Sequence, residues 1–85
     1  MNAIRELREY LQKDRSSGSA KVLAKLAVAL ANDRQFLLSE IYDLPLREFE
    51  LAIALMRDWR LDRYYAARFK LFDVVLNVLP EEART

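Results

Sequence analysis

Between Leu46 and Leu79 the chain runs thirty-four residues with neither glycine nor proline, and all 85 residues include one glycine and two prolines. Propensity alone permits a single helix there, about 51 Å long at 1.5 Å per residue. The apolar phase breaks it. At about 100° per residue, Leu46, Phe49, Ala52, Ile53 and Met56 centre on one direction, and Tyr65, Phe69, Phe72, Leu76 and Leu79 centre roughly 155° away. A straight helix cannot bury both stripes in one small core. The spacing therefore predicts a break at Trp59 to Asp62, with Asp62 as a cap, and helices over 45–59 and 62–79.

The rest of the chain reads in the same period. Ile4, Leu7, Tyr10 and Leu11 form one side of a helix over 3–14, which ends at Arg15-Ser16-Ser17-Gly18-Ser19. Ser19 is placed to cap a second helix over 20–32, whose stripe is Leu23, Leu26, Ala27 and Leu30, with Ala20, Ala24, Ala27 and Ala31 open to close approach. Asn32-Asp33 stops it. A short helix over 36–44, capped by Asp33 or Ser39, ends before Pro45, which disfavours a helical Leu44 and suits the first turn of the next helix. No segment alternates with the period of a strand. The expectation is an all-α fold, a compact bundle of four main helices plus one short helix, forming a single domain over 1–85 with 80–85 as a frayed tail. The helix over 45–59 is expected at its centre, as the most uniformly apolar.

Composition narrows the chemistry. Histidine and cysteine are both absent, which removes thiol nucleophiles, histidine relays, thiolate or imidazole zinc sites and disulfides. One glycine cannot build a multi-glycine phosphate loop. The carboxylate pairs Asp58/Asp62 and Glu40/Asp43 are too few for a hard-cation site and read as surface ion pairing. We expect no enzyme, no cofactor, no metal and no small-molecule ligand. A start alternating charges, Met1 to Asp14, does not read as a secretory signal, and charges interrupt every apolar stretch before membrane-spanning length. The expected setting is the cytoplasm, with no membrane contact.

Net charge is +1 and by itself names no partner. Locally, Arg57, Arg60, Arg63, Arg68 and Lys70 outnumber Asp58 and Asp62, leaving residues 57–70 at +3. Within that stretch, Trp59, Tyr64 and Tyr65 interleave with arginines, the residue types enriched at binding hot spots and able to stack on bases. We take Arg57, Trp59, Arg60, Arg63, Tyr64, Tyr65 and Arg68 as candidates for binding a partner protein or nucleic acid. A hydrophobic content of 53% is high for so small a chain. It suggests a homodimer, with Phe69, Phe72, Leu76 and Leu79 as the candidate dimer face.

Residues 37–65, LLSEIYDLPLREFELAIALMRDWRLDRYY, place a short helix, a tight connection at Asp43-Leu44-Pro45 and a longer helix in succession. Their order and apolar positions, Leu38, Ile41, Leu44, Phe49, Ile53 and Met56, resemble the helix-turn-helix of bacterial winged-helix regulators. The resemblance implies that the second helix enters the major groove and that Trp59-Arg60-Leu61-Asp62-Arg63 leads out of it. DNA affinity would then be salt-sensitive and dominated by Arg57, Arg60, Arg63 and Arg68. The residues from Arg47 to Met56, acidic at their start and apolar nearly all round, read instead as a packed helix. The leading expectation is thus a non-enzymatic interaction module binding a protein, with a DNA-binding regulator as the alternative.

Overall fold

A short polar run ties the first two helices together. Just beyond α1 (Ala3–Lys13), the Asp14 amide donates to the Tyr10 carbonyl at 3.0 Å, and Asp14 Oδ1 accepts from the Ser16 and Ser17 amides at 3.3 and 3.1 Å. This turn leaves Ser17 extended, at φ −70° and ψ 158°, with its Oγ accepting the Ala20 amide at 3.0 Å. Ser17, not the expected Ser19, therefore caps α2 (Gly18–Asn32), which starts two residues earlier than predicted. At the other end, Asp33 is left-handed (φ 53°, ψ 49°), and its amide and that of Arg34 both converge on the Ala29 carbonyl.

The computed structural model describes residues 3–61 and 65–79, the side chains of 61, 65–69 and 72 lying outside that description. Among the described residues are five helices and no strand. The third is shorter than predicted: α3 (Leu38–Tyr42) has Leu37 at its N-cap position and no side-chain cap, so neither Asp33 nor Ser39 serves. Asp33 is held in the left-handed turn that closes α2, and Ser39 lies inside α3 itself. Pro45 stands just before α4 (Leu46–Leu61), its carbonyl accepting the Phe49 amide at 2.8 Å. Helix α4 is described to Leu61, two residues beyond the predicted end, and the next described helix is α5 (Tyr65–Val78). Asp62, its expected cap, and the tail at 80–85 lie outside the described residues.

Helix α1 packs against α2, α4 and α5, and α2 packs against α4 and α5 as well. Ile4, Leu7 and Leu11 of α1, Leu23 of α2, Leu55 of α4, and Leu71 and Val75 of α5 are the largest fully buried side chains. Each contributes about 1.5–3 kcal/mol of apolar transfer. Ala20, Ala24 and Ala27 sit at zero exposure and let neighbours close on α2. The radius of gyration, 11.5 Å, matches the about 12 Å of a compact chain this long. No helix among the described residues is long and apolar enough to cross a membrane.

The expectation that the fourth helix is central does not hold. Of its described side chains only Ala52 and Leu55 are buried, while Leu46 and Ile53 of the predicted stripe are 72% and 44% exposed. Apolar residues surround α4, and one core can accept only one of its faces. The same choice decides α5. Its buried residues among those described are Leu71, Val74, Val75, Val78 and the following Leu79, while Leu76 of the predicted stripe is 41% exposed.

Candidate functional site

What α4 cannot bury, it displays. Leu46 and Ile53, seven residues apart, share its outer face with Phe49, half-buried between them. On α3, Leu38 and Tyr42 lie one turn apart and are 63% and 73% exposed, with Leu37 just before them at 70%. The Tyr42 ring stacks on Phe49, centroids 6.5 Å apart and planes 23° from parallel, joining the two helices into one apolar strip. Only Ile41 of α3 turns inward, at 3% exposure. A 2.8 Å ion pair from Lys25 Nζ to Glu40 Oε1 holds α3 to α2.

Contiguous exposed apolar surface of this kind marks interaction sites on small proteins. Sequence reasoning missed it, reading Leu38 only as one of the apolar positions of the helix-turn-helix resemblance. Leucines five residues apart or fewer look alike in a short run, whichever way they point. The only available signal was density: Leu37, Leu38, Ile41, Tyr42, Leu44 and Leu46 are more apolar residues than a five-residue helix can bury.

The candidates read from residues 57–68 divide. Arg57 and Arg60 are exposed on the last turns of α4 and continue, at three- and four-residue spacing, the outer face of Leu46, Glu50 and Ile53. Trp59 is half-buried and packs against the core. Arg63 and Tyr64 lie outside the described residues, as do the side chains of Tyr65 and Arg68. Asp58 Oδ2 accepts the Ala3 amide at 2.8 Å, placing a carboxylate on the positive N-terminal end of α1.

The candidate dimer face is corrected at one position. Leu79 is 3% exposed, carried into the core beyond Val75 and Val78 as its amide donates to the Val75 carbonyl at 3.1 Å. Leu76 is 41% exposed, among exposed Lys70, Asp73 and Asn77, and the side chains of Phe69 and Phe72 lie outside the described residues.

Between α1 and α4 runs an open groove of about 730 Å³, lined by Glu6, Tyr10, Lys13, Arg47, Glu48 and Arg57 among others. Burial raises the Tyr10 hydroxyl above its ordinary pKa, with Glu48 and Asp14 pushing the same way, while hydrogen bonds with Ser17 and Ser19 pull it down. No cluster of three or more acidic, histidine or cysteine residues able to hold a metal is found among the described residues.

No protein-family model matches the chain, and no curated protein or solved structure does either.

Proposed function

We propose that the protein is a non-enzymatic helical interaction module of the cytoplasm that binds a protein partner through the apolar strip on α3 and α4. The observation that carries this reading is the exposure of Leu37, Leu38, Tyr42 and Leu46, each at 63% or more, in one joined surface. The water-facing parts of these side chains gain nothing from burial in the isolated chain, and covering them releases the hydrophobic term that drives association. Arg57 and Arg60, on the same outer face of α4, supply the polar edge that such interfaces carry.

The test is a photo-reactive amino acid placed in living cells at position 38, in the strip, and at position 12, on exposed α1. Covalent adducts with protein are expected from position 38 and not from 12. Absence of any adduct at 38 removes the reading.

Exposed Arg47, Arg57 and Arg60 on α4 favour DNA as the second reading, because a recognition helix needs basic groups on its outer face. Titration with mixed-sequence duplex, followed by Trp59 emission and DNA anisotropy at about 50 and 200 mM salt, separates the two. Affinity that falls by orders of magnitude at the higher salt supports DNA; silence at both leaves the protein partner.

A further inference from the structure

We infer that the partner covering the α3–α4 strip is a second copy of the same chain, related by a two-fold axis passing between Asp43 and Arg47. The inference rests on the reading of the strip as a protein-binding surface.

Charge is the first argument. Glu40 is neutralised by Lys25, and around the strip stand Arg34, Arg47, Arg57 and Arg60 against Asp43 and Glu50, all exposed. Both signs border the apolar surface, so each acidic group on one copy can meet a basic group on the other. Asp43 and Arg47 form no ion pair within the chain among the described residues. They flank the turn between α3 and α4, on either side of Leu44-Pro45. In an isologous interface each contact occurs twice, so an axis between these two residues sets Asp43 of each copy against Arg47 of the other. A net charge of +1 leaves almost no long-range repulsion between copies.

Area is the second. A buried Leu or Ile side chain represents about 60–120 Å² of apolar surface and a Tyr about 150–250 Å². Scaled by their exposures, Leu37, Leu38, Tyr42, Leu46 and Ile53 offer about 250–500 Å². A standard interface takes about 800 Å² from each partner, and homodimer interfaces are about 65% apolar, or about 500 Å². The strip therefore supplies most of the apolar centre of a small dimer, and the flanking charges supply its edge. We expect a dissociation constant in the range of about 1–100 μM.

Sedimentation velocity at about 10 and 200 μM reads the outcome, with circular dichroism confirming that every variant keeps its helices. The wild type should shift from monomer towards dimer mass across that range, and Tyr42→Glu, at a site 73% exposed, should remain monomeric. Asp43→Arg and Arg47→Asp should each weaken the dimer about tenfold or more, and the double swap should restore it, because only a two-fold contact of these residues is rebuilt by exchanging both signs. A dimer untouched by Tyr42→Glu, or a double swap no better than the singles, overturns the inference. A wild type monomeric at 200 μM overturns it too. In that case the position-38 crosslink decides the rest: an adduct with a different protein leaves the interaction module standing, and no adduct removes both.

Discussion

Asp58 directs its carboxylate onto the amide of Ala3, fifty-five residues away. The first amides of a helix have no partner within it, so a carboxylate here both accepts a hydrogen bond and faces the positive end of the helix dipole. Asp58→Ala should cost about 1–2 kcal/mol in urea unfolding. A cost within experimental error of zero would mean water replaces Asp58 at no loss. Asp14 offers a second local test. Hydrogen bonds from the Ser17 side chain and amide, and then from the Ser16 amide, hold its carboxyl below its ordinary pKa of 3.8. A carboxyl lowered on folding stabilises above its unfolded value and loses that contribution as pH falls through the folded one. The stability gap between wild type and Asp14→Asn should thus be open at pH 7 and close below about pH 4. A gap independent of pH would assign the difference to shape rather than charge. Neither contact was legible: Asp58 needs a helix half the chain away, and Ser17 and Ser19 are the same residue type two positions apart, separated only by the turn that Asp14 makes.

Helix α4 shows why periodicity locates an element better than it orients one. Its span was predicted to within two residues at either end, because a run without glycine or proline and a change of apolar phase are properties of the chain itself. Its orientation depends on what α1 and α2 present. Ala52 and Leu55 meet them at zero exposure, while Ile53, between the two in sequence, faces water at 44%. Leu55→Ala should cost about 2–5 kcal/mol and Ile53→Ala about 0.5 or less, measured by thermal or urea unfolding. Equal costs would place the core on the wrong side of the helix. The same degeneracy governed α5, where two apolar stripes run side by side and the valine-rich one, Val74, Val75 and Val78, is buried.

For the whole molecule, fold class and helix number were legible because they follow from local rules: spacing of apolar residues, helix stops at Asp33 and before Pro45, and absence of strand periodicity. The candidate site was legible in part. Exposed Arg57 and Arg60 were named beforehand, whereas the strip on α3 and α4 emerged only once the helices had been packed and some leucines had found no place inside. A surface of surplus leucines is a property of the assembled bundle.

That surplus separates two duties that many small domains load onto the same side chains. Leu37, Leu38, Tyr42 and Leu46 take almost no share of the core, which is built by α1, α2, Ala52, Leu55 and the inward side of α5. Substitution on the strip should therefore leave the scaffold beneath in shape, so the character of this surface can change across descendants of the chain before the fold does.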